Sequence, residues 1–310
     1  MAIVELENLT KDYKTLRAVD SLSFTLDEGD IFGFIGPNGA GKTTTIKMLA
    51  TLLAPTTGVA RICGHDAYKD PMAVRAVIGY MPDFFGVYDD IKVWEYLDFF
   101  AAAYKIDRDK RPQIIDDVLE LTDLTTKKDA FVEELSRGMK QRLCLAKTLV
   151  HDPKVLLLDE PASGLDPRAR IEIKELLKEL RTMGKTILIS SHILPELADF
   201  CNKIGIIEQG KMVVEGPVQE IMKRVRGGLA LEIKLTPDSP DPTPLLTALP
   251  EVKGVQQEDG AYLVQLNEDE TDVHKILQYL LEHNVKVASF SEREIDLEDI
   301  FMKVTKGIVS

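Results

Sequence analysis

The sequence is poor in cysteine. Cys63, Cys144 and Cys201 are its three, widely spaced and odd in number. No CxxC pair occurs, so neither a disulfide framework nor a zinc site is expected, and a reducing cytosol fits best. Long apolar runs are missing too. None approaches the ~20 residues that a membrane-spanning helix needs. The opening Met1-Ala2-Ile3-Val4-Glu5 has no basic stretch and no long apolar core, so no signal peptide is expected. Internal repeats and low-complexity tracts are absent. Positive charge is in deficit, with 38 basic against 51 acidic residues and a net charge of −13. A general binder of nucleic acid or of an anionic membrane would carry the opposite balance.

What remains is the profile of a soluble globular protein, with 45% apolar and 29% charged residues. A length of 310 residues allows one large domain or two smaller ones. A boundary is expected near Gly228. Gly227-Gly228 follows a basic stretch, and five of the 15 prolines, from Pro237 to Pro250, come soon after. Prolines at that density suit a loop or short connection. Charge shifts at the same place. Residues 229–310 hold 7 basic and 16 acidic residues, whereas residues 1–228 hold 31 and 35.

In the first segment, Leu22, Phe24 and Leu26 alternate with polar neighbours, the period of a half-buried strand. Ile31-Phe32-Gly33-Phe34-Ile35 reads as a strand buried on both faces. Val155-Leu156-Leu157-Leu158 and Thr186-Ile187-Leu188-Ile189 are each followed by a helical pattern, which implies a parallel sheet with covering helices. Residues 93–150 read as mostly helical. The tail reads as a small α+β domain. Strands are expected at 229–235, 261–266 and 285–288. Val273, Ile276, Leu277, Leu280 and Leu281 form the stripe of an amphipathic helix. Ile300, Phe301 and Val304 mark one face of a last helix.

Gly36-Pro37-Asn38-Gly39-Ala40-Gly41-Lys42-Thr43 follows the apolar strand and opens a helix. It matches the phosphate-binding pattern GxxxxGK[ST]. Glycines let backbone N–H groups curl around phosphate oxygens, and the helix N-terminus points at the same anion. Lys42 supplies a mobile charge for the β/γ-phosphates, Thr43 offers a hydroxyl to Mg²⁺, and Thr44 continues the cradle. Asp159 and Glu160 end the strand at 155–158, where open α/β sheets bind ligands. Asp159 is expected to hold Mg²⁺, and Glu160 to polarise the attacking water. Phe84-Phe85 with Val87 and Tyr88 reads equally well as core or as an apolar groove for a partner. Asp166-Pro167 reads as a helix cap and first helical position.

With these motifs in place, residues 1–225 resemble the nucleotide-binding subunit of ABC (ATP-binding cassette) transporters. Further segments appear in the family's order. Leu135-Ser136-Arg137-Gly138-Met139 resembles the signature, usually LSGGQ. Ser163-Gly164-Leu165-Asp166 resembles the D-loop, and His192 the switch histidine. Tyr13 sits where the family places an aromatic that stacks on adenine. Gly79-Tyr80-Met81-Pro82-Asp83 lies where the Q-loop belongs, with Asp83 in place of glutamine and near the metal. Arg137 and Met139 replace Gly and Gln in the signature.

The resemblance implies an α/β P-loop NTPase cassette with a RecA-like sheet core, an antiparallel β portion and a helical subdomain at about 84–150. A small C-terminal α+β domain would occupy 229–310. It implies ATP and Mg²⁺ as cofactors and a second cassette, whose Ser136 and Gly138 complete each site. A separate transmembrane permease would do the transport, docked around residues 83–104 at the cytoplasmic face of the membrane. The tail segment Asp296-Leu297-Glu298-Asp299-Ile300-Phe301 resembles that of drug- and antibiotic-export ATPases of the ABC-2 type. A soluble ABC ATPase with a regulatory role is the alternative. ABC ATPases of translation or repair carry two cassettes or long coiled-coil insertions, neither of which is present.

Overall fold

Two long antiparallel strands open the chain, β1 (Ala2–Asp12) and β2 (Arg17–Asp27). In β2, Leu22, Phe24 and Leu26 are buried and their neighbours are not, as the alternation predicts. The computed structural model describes residues 2–84, 86, 90–193, 197, 200–221, 230–258, 260–267 and 272–293. The chain divides into two compact units, Met1–Val218 and Gln219–Ser310.

In the first unit, β3 (Ile31–Ile35) is followed by α1 (Lys42–Leu49), β4 (Thr57–Ile62), β5 (His65–Asp66) and α2 (Pro71–Val77). Strands β1, β2, β4 and β5 make an antiparallel sheet ordered β2-β1-β4-β5. A second sheet gathers β3 with β6 (Ile78–Met81), β7 (Val155–Asp159), β8 (Thr186–Ser191), β9 (Lys203–Glu208) and β10 (Lys211–Pro217). Its order is β10-β9-β3-β8-β7-β6. The neighbours from β9 to β6 are parallel, and β10 is an antiparallel edge. β3, β7 and β8 are buried at every position, which explains their continuous apolar runs.

The register decides where the chemistry falls. Ile35 pairs with Ser191, and Asp159 with Ser190. The C-terminal ends of β3, β7 and β8 are therefore level, and whatever follows them meets in one crevice. The two sheets share a core. Phe24 of β2 stacks on Phe32 of β3, with centroids 5.0 Å apart and planes 5° from parallel. Ile46 and Leu49 of α1 join the same cluster. Each such buried side chain contributes about 1.5–3 kcal/mol.

Between β6 and β7 lie α3 (Val93–Ala103), α4 (Arg111–Leu121) and α5 (Arg137–Leu149). After β7 comes α6 (Pro167–Thr182), whose Ile173, Leu176, Leu177 and Leu180 form its buried stripe. Asp166 caps α6 by accepting from the Ala169 N–H at 2.9 Å, and Pro167 is its first residue.

The second unit holds β11 (Ala230–Leu235), α7 (Thr243–Thr247), β12 (Val252–Glu258), β13 (Ala261–Leu266), α8 (Val273–Glu282) and β14 (Val287–Arg293). Its antiparallel sheet runs β12-β13-β11-β14, the order of a split βαβ arrangement. Leu231, Ile233, Val264, Leu266, Ile276 and Leu280 form its core. The strand expected at 285–288 begins at Val287 and runs to Arg293; Val285 is buried in the core ahead of it. The proline-rich stretch contains α7, with Pro244 in its first turn, rather than loop alone. The boundary glycines, Phe85, Val87, Tyr88, the last helix and the Asp296-to-Phe301 segment lie outside the described residues. Among the described residues, no helix is long and apolar enough to cross a membrane.

Candidate functional site

The loop after β3 is held against its neighbours by close backbone approach. A Cβ on Gly36 would stand 2.3 Å from the Ile207 carbonyl oxygen of β9. Gly41 has φ +109, and a Cβ there would stand 2.5 Å from the Ala18 carbonyl oxygen. Only glycine satisfies both positions. Gly41 is also the residue before α1, and no side chain caps that helix. Its first N–H groups are therefore left for an anion.

Lys42 is buried, and its Nζ donates to the carbonyls of Gly36 at 2.7 Å and Pro37 at 3.3 Å. The same Nζ lies 3.4 Å from Glu160 Oε1. Glu160 Oε2 meets His192 Nδ1 at 2.9 Å. One carboxylate thus bridges the phosphate-loop lysine and the histidine that β8 delivers. Glu160 itself has φ +50, the left-handed region. Its N–H donates to Ser190 Oγ at 2.9 Å. Ser190 Oγ in turn donates to Asp159 Oδ1 at 2.7 Å.

Asp159 is 1% exposed, and its Oδ2 has no hydrogen-bond partner. A buried carboxylate oxygen left unpaired costs on the order of 1–3 kcal/mol or more. That orphaned oxygen, with the Thr43 hydroxyl at the cavity wall, is the donor chemistry a hard divalent cation takes. No three His, Cys, Asp or Glu side chains among the described residues form a cage of their own. Mg²⁺ in general is held by one or two protein oxygens together with phosphates and water.

A cavity of about 380 Å³ opens beside Lys42, Glu160 and His192, the size range of a small-ligand site, and the buried Asp159 is not among its lining residues. It brings together Tyr13, Asn38, Gly39, Ala40, Gly41, Lys42, Thr43, Thr44, Asp83, Glu160 and His192. Tyr13 is 48% exposed, with Lys11 Nζ 5.6 Å from its ring centre. Asp83 is exposed at the rim. Burial, with Asp159 and Asp83 adding negative potential, pushes the neighbouring Tyr80 hydroxyl up to about 12. Leu16, Ala18 and Ser163 also line the cavity, and Ser190 orients both carboxylate-bearing residues from beneath. Sequence reading missed Leu16, Ala18 and Ser190 as site residues, and named Ser163 only within the D-loop resemblance. Ser190 alone carried a signal, since it lies two residues before His192 on β8.

Ser136 and Gly138 are elsewhere. Ser136 caps α5, accepting from the Met139 N–H at 3.3 Å. Both line a second cavity of about 270 Å³ together with Gly164, Asp166 and Arg168.

Residues 19–163 match the ABC transporter family, and residues 216–305 match the C-terminal domain of DrrA1-3-like ATP-binding proteins. The chain is 36% identical over 304 residues to Nod factor export ATP-binding protein I of Paraburkholderia xenovorans, covering 98% of this chain and 97% of the relative. The chain belongs to the ATP-binding subunits of ABC transporters. The solved structure of cbiO1 from Clostridium perfringens, part of the ABC transporter complex cbiONQ, superposes with TM-score 0.65 at 27% identity. The match covers 73% of this chain and 94% of cbiO1. The dimeric, post-hydrolysis ATP-binding cassette MJ0796, bound to ADP and Pi, superposes with TM-score 0.63 at 25% identity, covering 69% of this chain and 98% of that one. As an ABC ATPase, the chain is a P-loop NTPase cassette that binds and hydrolyses ATP.

Proposed function

We propose that this ABC ATPase drives an exporter through a separate membrane permease, working as one of two cassettes. The observation that carries the reading is the convergence of Lys42 and His192 on the Glu160 carboxylate at the phosphate loop. The name of the Paraburkholderia relative supports export, and cbiO1's place in a complex supports a separate membrane component.

The phosphate loop, residues 36–43, and Thr44 cradle the triphosphate, and Tyr13 stacks on adenine. Lys42 releases its loop carbonyls and Glu160 to meet the β/γ-phosphates. Thr43 and Asp159 would hold Mg²⁺, with Asp83 at the rim. When bound, the metal neutralises charge on the phosphate oxygens. Glu160 accepts a proton from the attacking water, and His192 fixes the carboxylate through its hydrogen bond. Ser136 and Gly138 line a cavity other than their own chain's nucleotide cavity, and in this reading they complete the site of a second cassette. The dimeric MJ0796 structure supports such pairing. ATP binds the closed pair better than the open one, and that difference is what drives the permease.

The expected boundary near Gly228, with the cassette at 1–228 and the accessory domain at 229–310, lies ten residues beyond the division between compact units at Val218. The protein works at the cytoplasmic face of the membrane, without nucleic acid. The test is capture of the tagged chain from detergent-solubilised membranes of its native host. A stoichiometric integral membrane protein, whose presence raises the ATPase rate, is expected. Recovery of the chain only in soluble form, with an ATPase rate that membranes leave unchanged, would favour the regulatory alternative.

A further inference from the structure

Arg137 is the signature residue that departs most in chemistry from the usual glycine, and it touches the segment that follows Glu160. It is the first residue of α5, directly after the cap Ser136. Its Nη2 donates to the Ser163 carbonyl at 3.2 Å. The next residue, Gly164, has φ +67, and a Cβ there would stand 2.1 Å from Arg137 Nη2 and 2.4 Å from its Cζ. The guanidinium therefore fills the space that a side chain at 164 would need. One turn further along α5, the buried Gln141 donates its Nε2 to the Pro161 carbonyl.

The segment held at these two points carries Glu160. The Ser163 N–H donates to the Glu160 carbonyl at 3.0 Å, closing a turn. Ser163 lines the nucleotide cavity beside Glu160 and His192. Glu160 sits at φ +50, a conformation that a residue with a side chain keeps only where its surroundings impose it. A shift of the turn is therefore a shift of the carboxylate that meets Lys42 and His192.

We infer that Arg137 is a positioning residue that ties the signature helix to the Glu160 segment of its own chain. The inference rests on the paired-cassette reading above. There, α5 faces the partner's nucleotide while Glu160 serves its own. Closure of α5 on one nucleotide is then felt at the carboxylate of the other site, so the arginine couples the two. The contact needs a planar fork that can donate while lying over the bare Gly164. Lysine supplies only the donated hydrogen bond.

The test compares Arg137→Gly and Arg137→Lys with the unmodified chain. Arg137 is exposed, so both variants should fold, and circular dichroism and thermal melting check this. Arg137→Gly should lower kcat about tenfold, a fraction of the loss that follows a misplacement of ~1 Å. KM for ATP should hold, the Hill coefficient should fall toward 1, and Arg137→Lys should restore only part of kcat. Mixed dimers assign the effect to a chain. In one, an Arg137→Gly chain pairs with a Glu160→Gln chain, so the working Glu160 lacks its own Arg137. In the other, both substitutions sit in one chain and its partner is unmodified. The first should be slow and the second should match an unmodified/Glu160→Gln pair. The reverse pattern, or unmodified kcat and cooperativity in Arg137→Gly, would overturn the inference. Persistent turnover in Glu160→Gln would instead overturn the proposed function itself.

Discussion

Gly36→Ala puts the account of the phosphate loop under direct strain. The added Cβ would stand 2.3 Å from the Ile207 carbonyl oxygen and 3.0 Å from Ile207 Cγ2. Van der Waals contact needs about 3.5 Å, so the loop or β9 must retreat by about 1 Å. Both are backbone, and neither has a rotamer through which to escape. Overpacking of this kind costs about 1–3 kcal/mol, which lowers Tm by about 2–4 °C per kcal/mol in a unit of this size. The larger effect falls on ATP. A displacement of ~1 Å at a positioned site costs on the order of 100-fold. Gly39→Ala is the control, because Gly39 has φ +81 but nothing within 4 Å of the added carbon. It carries backbone strain without the collision. Titration with a fluorescent ATP analogue and thermal melting of both variants check the reasoning. Unmodified ATP affinity in Gly36→Ala, or an equal loss in both variants, would refute it.

Two further outcomes follow from single groups. Asp83→Gln removes one negative charge from the cavity rim, so ATP binding without metal should tighten about twofold to fivefold, the scale of one exposed charge. The Mg²⁺ concentration for half-maximal ATPase should shift as well. Superimposable titrations would make Asp83 purely structural. His151 donates from Nε2 to the Ile78 carbonyl at 2.8 Å, stacks on Tyr104 at 3.7 Å, and has a buried Nδ1 without a partner. Burial holds its pKa below the usual 6.5, despite Asp152 and the Ile78 carbonyl. The unfolded chain therefore binds a proton at higher pH than the folded one. Stability is full above about 6.5 and falls as pH drops through that value toward the lower folded pKa. His151→Gln should flatten the decline of Tm between pH 7 and 5, and an unchanged slope would remove His151 as its source.

The parts of the molecule legible in the sequence are those whose physics is local. β3, the phosphate loop and α1 are contiguous, and β7 ends in the carboxylates it delivers. Asp83 and Tyr13 were placed only through the family resemblance, because register between distant strands is not a local property, whereas His192 was also legible from the apolar run Ile187-Leu188-Ile189 that precedes it. The contact of Arg137 with Ser163 joins positions 26 apart, so in the sequence the residue read only as a replacement for the signature glycine. β12 escaped because it is an edge strand with mostly exposed residues, interrupted by Gly254, which erases a clean alternation. β14 was placed early because Val285 is buried before the strand begins.

The central claim is that Glu160 takes the proton from the attacking water while Lys42 and the phosphate loop hold ATP. Steady-state ATP hydrolysis by Glu160→Gln, with ATP binding measured on the same sample, tests it most directly. Turnover should fall by about 10²–10⁴, the contribution of a positioned general base, while ATP stays bound and a dimer accumulates. Undiminished hydrolysis with ATP bound would contradict the account.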